Sequence, residues 1–409
     1  MEPQGEFAPT QTLPDEGDPK GLSNRTLDVR FTGSGSEYFR IWIVNLLLTL
    51  VTLTLYWPFA RARRMAYFQN NTLVGGDPLG FHADPWKMFR GYLVMLVLGV
   101  GYWAISNFVP SLSWVPFLVL MALWPALWRA SLQFRLRNTS WRGVRFAFEG
   151  DLKSAYMAML PFFVPGLVFV LMLPAVETDE ELVSELAQGA AAMMGVVTLA
   201  FLVLLPWLWA RVKRYQHGGY AFAQERTSLK VGAGRFYLLF LKLVGLTLLV
   251  VFGSLAVLVA VLSVTVGVGA VYSAMGGGGA GAGTAAIFLM IIGFVAVFYL
   301  VVPLVLGPFA ASRMQNLLWD NTRSEQVTFQ SQLRFRSLFR VTLVNLLLLV
   351  LTLGLFWPFA KVRTARVKLE AMAVEVDGDV DQWVAKAQQR NKGVLGDAAG
   401  DFFGMDMGL

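Results

Sequence analysis

The chain has 409 residues, 56% of them hydrophobic and only 15% charged, against about 25% charged in an ordinary soluble domain. It holds no cysteine, which excludes disulfides, thiol catalysis and cysteine-bound metals. The net charge of +7 lies between long apolar runs, a membrane pattern, and not on a soluble basic module of the kind that binds nucleic acid.

Residues 1–35 are polar and rich in Pro, Gly and acidic residues; they read as a disordered tail with no cleavable signal peptide. Apolar runs of about 20 residues, the length that crosses a bilayer, begin near Phe39, Met88, Leu112, Ser154, Ala190, Phe236, Thr284 and Leu338. They predict an all-α, polytopic transmembrane helix bundle of about eight spans. It fills residues 36–370, and residues 371–409 form a C-terminal tail. The run from Phe236 to about Met275 is roughly twice the membrane thickness. It reads as one protruding helix or as two short spans turning near Gly253 and Ser254.

Charge gives a partial orientation. Arg129, Arg135, Arg137, Arg142, Arg145 and Lys153 crowd one connection, and Arg211, Lys213, Arg214, Arg226, Lys230 and Arg235 another. Such segments face the cytoplasm. The connection with Glu177, Asp179, Glu180, Glu181 and Glu185 has no basic residue and is expected outside, as is the Gly276–Gly283 connector, which lacks the Lys and Ser/Thr of a phosphate loop. An even number of spans then puts both tails outside, against Lys361, Arg363, Arg366 and Lys368 directly after the last run. Dividing the Phe236 run brings the C-terminus inside but exports the basic segment after Ala310. Counting charges leaves the parity open.

The chain also repeats itself at an offset of 300 residues: Asn45-Leu-Leu-Leu, Thr52-Leu, Trp57-Pro-Phe-Ala and Arg63 recur as Asn345-Leu-Leu-Leu, Thr352-Leu, Trp357-Pro-Phe-Ala and Arg363. Pro58, Pro125, Pro206, Pro308 and Pro358 each sit near the end of an apolar run, with Arg or Lys close behind. Asn71-Thr, Asn138-Thr and Asn321-Thr follow three of them, and then alternating aromatics such as Phe146 and Phe148. Period-2 alternation predicts short strands or extended loops at the cytoplasmic surface. The whole reads as about five degenerate units.

The segments Asn45-Leu-Leu-Leu-Thr49, Thr52-Leu-Thr-Leu-Tyr56-Trp-Pro-Phe-Ala60, Arg61 to Arg64, Tyr67 and Asn71-Thr72 resemble the YjgN-like family of bacterial inner-membrane proteins. The chain departs from the family pattern at Thr54, where Gly is preferred and which Gly354 restores in the second copy, and at Phe59, where Trp is usual. The resemblance covers about residues 28 to 385. It implies a multi-pass inner-membrane location and brings no activity with it.

Two sets of residues are candidates for a role. Asn45, Thr49, Thr52 and Tyr56 share a helix face, and Asn345 and Thr352 repeat part of it. They either line a solute path or bond between helices. Arg61, Arg63, Arg64, Lys361, Arg363 and Arg366 suit phosphate of anionic lipid headgroups, or serve as topology signals. No run holds an internal Asp, Glu or His, and Lys242 lies near a span end. An enzyme is therefore not expected, nor a cofactor or metal. The expected role is structural, lipid-associated or in assembly, with the bilayer and its anionic headgroups as partners. The alternative is a transporter or channel for a small uncharged or anionic solute.

Overall fold

The computed structural model describes residues 25–109, 112, 114–172, 180–265 and 282–394. The disordered-tail reading of the segment before Arg25 lies outside the described residues, as do Glu177, Asp179 and Gly276–Gly281. Strand β1 (Arg25–Phe31) leads into a helical hairpin, α1 (Gly35–Val51) and α2 (Trp57–Asn70), then β2 (Thr72–Val74) and β3 (Asp77–Phe81). Next come α3 (Pro85–Phe108), α4 (Trp114–Arg137), β4 (Thr139–Trp141) and β5 (Val144–Phe148). The third helical hairpin is α5 (Leu152–Met159), α6 (Val164–Met172) and α7 (Glu180–His217), followed by β6 (Tyr220–Phe222), β7 (Glu225–Arg226) and β8 (Ser228–Leu229). The fourth is α8 (Ala233–Thr265), α9 (Ala282–Ala296) and α10 (Val302–Trp319), followed by β9 (Thr322–Arg323) and β10 (Val327–Ser331). Last are α11 (Phe335–Leu351), α12 (Trp357–Leu369), β11 (Met372–Val376) and α13 (Val380–Val394).

Local chemistry sets the switch from helix to strand. Asn71, Asn138 and Asn321 each donate Nδ2 to the carbonyl four residues back, at 2.8 Å. The next residue, Thr72, Thr139 or Thr322, donates its hydroxyl to the following carbonyl at 2.7–2.8 Å. Each Asn-Thr pair thus satisfies carbonyls that a helix end leaves without partners. At the other end of the hairpins, Asp84 and Asp151 accept the amides of Trp86 and Ser154 at 2.9 and 2.8 Å and start the next helix.

The strands form a single antiparallel sheet in the order β7-β6-β5-β4-β3-β2-β1-β11-β10-β9-β8. Its outermost strands, β7 and β8, are joined in the chain through Thr227, which donates its amide to Tyr220 at 2.8 Å, so the sheet is a nearly closed ring. One pairing recurs around it. The first residue of the strand after a helical hairpin faces the last residue of the strand before it: Thr72 with Phe31, Thr139 with Phe81, Tyr220 with Phe148, Thr322 with Leu229, Met372 with Ser331. Leu27, Trp141, Val144, Val327 and Val376 form the core inside the ring, closed on one side by Val380, Val384 and Ala387 of α13. Burial of side chains this size contributes about 1.5–3 kcal/mol each.

This corrects the all-α expectation of about eight spans. The period-2 aromatics are strands, and they pair with one another over long sequence distances, which local patterning does not encode. Among the described residues six segments are long and apolar enough to cross a membrane: Pro85–Phe108, Trp114–Arg137, Leu152–Met172, Gln188–His217, Ala233–Val261 and Phe288–Trp319. The Phe236 run belongs to one helix of 33 residues, with no turn at Gly253.

The duplicated segments at either end are helical hairpins. Thr52 and Thr352 accept the amides of Tyr56 and Phe356 at 3.0 Å, and Leu53 and Leu353 reverse the chain with φ of 47° and 48°. The next position has φ of 73° at Thr54 and 91° at Gly354, a left-handed conformation that favours glycine. Arg61 stands one helical turn, about 6 Å, beyond the reversal, whereas crossing takes about 30 Å. The exposed Leu50, Val51, Leu53 and Leu55 at the apex therefore suit shallow insertion.

Candidate functional site

The polar stripe turns inward or back onto its own backbone. Thr49 and Thr52 donate to Asn45 and Leu48 carbonyls at 2.6 and 2.7 Å, and Thr352 donates to Leu348 at 2.6 Å. Asn345 is buried and donates to Ala360 O at 3.3 Å and Thr364 Oγ1 at 3.2 Å, tying α11 to α12. Asn45 is likewise buried, and the Oδ1 atoms of both asparagines have no hydrogen-bond partner. Tyr56 stacks on Phe59 with ring centroids 5.6 Å apart. Neither asparagine lines any of the three main cavities.

The two basic clusters lie side by side, because the terminal hairpins pack together through Phe39 on Phe359 and Trp42 on Trp357. Arg366 donates to Gly33 O at 2.9 Å across that junction. Arg63 lies over Tyr56 at 5.7 Å and Lys361 over Trp357 at 5.1 Å. Arg211 over Trp207 and Lys213 over Trp209, at 4.8 and 5.3 Å, repeat the arrangement on α7. An aromatic ring toward hydrocarbon with a cation toward water suits a membrane interface.

Arg61 differs from these. It is half-buried and, among the described residues, makes no hydrogen bond, ion pair or ring contact. Burial, followed by the charges of Arg135 and Arg64, holds its guanidinium below the ordinary value. It faces a cavity of about 310 Å³ between α2, α3 and α4, walled by Trp57, Tyr92, Met95, Trp124 and Trp128. Tyr92 and Thr54 share a hydrogen bond of 2.8 Å that pins α3 to the apex of the first hairpin. Ala62, Met88 and Phe134 pack as the core behind the cavity.

A larger cavity, about 440 Å³, fills the ring beneath α13. Its wall is apolar, with Leu79, Phe146, Phe222 and Phe329 facing Trp383 of α13. Arg135, Gln69, Gln216 and Glu225 are among its polar groups, beside the hydroxyls of Thr72, Thr139, Tyr220, Thr227 and Ser324. Tyr220 on the same wall has its hydroxyl pushed up to about 12 by burial, against the Gln216 hydrogen bond and the Arg135 charge. Arg142 fastens the cover: it donates to Asp77 at 2.5 Å and Asp381 at 2.6 Å, while Gln388 donates to its carbonyl at 2.7 Å. In sequence Arg142 reads only as loop charge; the adjoining Gly143, with φ of 79°, marks the tight turn that aims it. Both histidines are structural ties, His82 to Ser140 at 2.8 Å and His217 to Thr322 at 2.9 Å. Among the described residues no group of His, Asp and Glu could hold a metal ion.

Among the described residues, six apolar helices of crossing length on a β-ring, bordered by aromatic–cation pairs, define a membrane protein with several apolar helices. A family model described as a bacterial protein of unknown function (DUF898) matches residues 26–402, and the chain belongs to that family. It is 24% identical over 363 residues to the inner membrane protein YjgN of Salmonella typhimurium, covering 86% of this chain and 88% of that protein. It is 28% identical over 200 residues to YjgN of Escherichia coli K12, covering 44% of this chain and 48% of that protein. No solved structure matches.

Proposed function

We propose that this chain is a multi-pass protein of the bacterial inner membrane, with its β-ring in the cytoplasm, that associates with anionic lipid of the cytoplasmic leaflet. The observation that carries the reading is Arg61, a cation without a counter-charge in a pocket of three tryptophans and a tyrosine. A phosphate there neutralises the arginine, and the acyl chains follow the apolar surface of α3 and α4. The spans support association with lipid over conduction: the most apolar stretch of each is only 0–22% buried within the protein. We further read the chain as five repeats of helical hairpin and strand pair, three crossing the membrane and two dipping into it.

Orientation follows from that count. Every helical hairpin leaves the ring and returns to it, so the basic connections and the C-terminal basic cluster share one face, and the parity conflict disappears. The positive-inside rule makes that face cytoplasmic. A single Cys replacing Glu325 on the ring is expected to resist an impermeant thiol reagent in intact cells, and one replacing Asn107 at the far end of α3 to react. The reverse pattern sinks the orientation.

The lipid reading is tested by native mass spectrometry of the full chain extracted in mild detergent. Arg61→Gln is expected to lower retained phosphatidylglycerol relative to phosphatidylethanolamine about fivefold, as about 1 kcal/mol per charge implies, with Arg61→Lys partly restoring it. An unchanged ratio in Arg61→Gln counts against the site.

A further inference from the structure

The ring cavity is separate from the Arg61 pocket and has its own chemistry. Its wall is mostly hydrocarbon, with Leu27, Val29, Leu79, Phe146, Phe329 and Val374 contributed by five strands of the ring. An apolar space of about 440 Å³ falls within the range, about 300–1,000 Å³, of pockets that enclose small ligands. Its polar groups are not all satisfied. Glu225 accepts the amides of Glu325 and Gln326 at 3.1 and 3.4 Å, and Gln216 accepts Lys213 at 3.0 Å. Gln69 has a buried amide oxygen with no partner. Among the described residues Arg135 has no carboxylate within ion-pair distance and donates only to Ser131 O of its own helix, at 3.4 Å.

Both groups stand where helices enter the ring, Gln69 on α2 and Arg135 on α4, elements packed together through Ala62 and Phe134. Ser131 lines the Arg61 pocket and Arg135 the ring cavity, one helical turn apart on α4. The two spaces therefore follow one another along the same helix face, and the ring cavity is next to the bilayer surface. Its other side is covered by Trp383 and Val384 of α13.

We propose that the ring cavity binds a single acyl chain ending in an anionic headgroup, its hydrocarbon among the strands and its head at Arg135 and Gln69. An acyl chain matches the wall, most of whose surface is apolar. The anionic head matches a cation that, among the described residues, no carboxylate meets at ion-pair distance, and Gln69 gives it a hydrogen-bonding neighbour. A carboxylate and a lysophospholipid phosphate present the same chemistry to these residues. The site stands whether or not the Arg61 pocket holds lipid.

The test is photocrosslinking of the full chain in phosphatidylcholine nanodiscs, with diazirine analogues of palmitate, lysophosphatidate and hexadecanol, and mapping of labelled peptides. Palmitate or lysophosphatidate is expected to label the ring strands and α13, and the stronger of the two identifies the head. Val29→Trp, which fills the cavity, is expected to cut ring labelling at least tenfold while leaving labelling of the spans unchanged. Arg135→Gln, which leaves the wall intact, guards against misfolding of the first variant. It is expected to cut labelling by the anionic probes about tenfold and to spare hexadecanol. Label confined to the spans, or ring label that survives Val29→Trp, overturns the site. Equal loss of all three probes, or of none, in Arg135→Gln overturns the anionic head.

Discussion

The ring and the spans are built from the same apolar residue types and treat them in opposite ways. In the ring, Leu27, Val144 and Val376 are nearly inaccessible, and every strand is paired. In the spans, Val203, Leu249 and Phe252 remain 66%, 69% and 64% exposed. Water explains the contrast. Ring side chains gain by leaving it, whereas span side chains face lipid as apolar as themselves and gain little from packing together. The ring therefore carries the specificity of the fold, and the spans act as anchors whose exact side chains matter less.

This contrast can be broken or sharpened by substitution, with stability read as thermal unfolding of the full chain in detergent. The largest loss is expected for Trp141→Ala. That indole is buried in the ring, donates to Val74 O at 3.1 Å and packs on Phe222, so about 3–5 kcal/mol goes with it. Arg142→Ala is expected to cost about 1–2 kcal/mol and to admit protease between β11 and α13, a cleavage that tests the cover directly. Gly354→Ala strains the left-handed reversal of the last hairpin and is expected to cost about 1 kcal/mol. Leu249→Ala on a span is expected to stay within about 0.5 kcal/mol. If it costs as much as Trp141→Ala, the spans pack in a way the exposed surfaces of α8 do not reveal, and the comparison fails.

Much of the local structure is legible in the chain. The Asn-Thr pairs ended the apolar runs because they cap helix carbonyls, and the 300-residue duplication picked out two hairpins with matching reversals. Run length misled at those same hairpins. Val51-Thr-Leu-Thr-Leu-Tyr56 is apolar enough to pass for the middle of a span, although it holds the turn. The available cue was Arg61, too close to that turn for the segment to cross. The ring itself was not legible, since β1 pairs with β11 some 350 positions away (Arg25 with Val376) and nothing local announces it. The candidate site was half legible: the basic cluster around Arg61 was visible, but Trp124, Trp128 and Tyr92 reach it from other helices. Arg135 and Arg142, read as loop charges, acquire their roles only once the ring closes.

The pairing of β1 with β11 has a consequence for biogenesis. Strand β1 emerges from the ribosome before any of the six described helices of crossing length, and β11 only after all of them. The first strand must wait, half-partnered by β2, while the membrane segments insert. Ring closure thus comes last in synthesis, and β11 works as a clasp that fastens once all the chain between it and β1 is made.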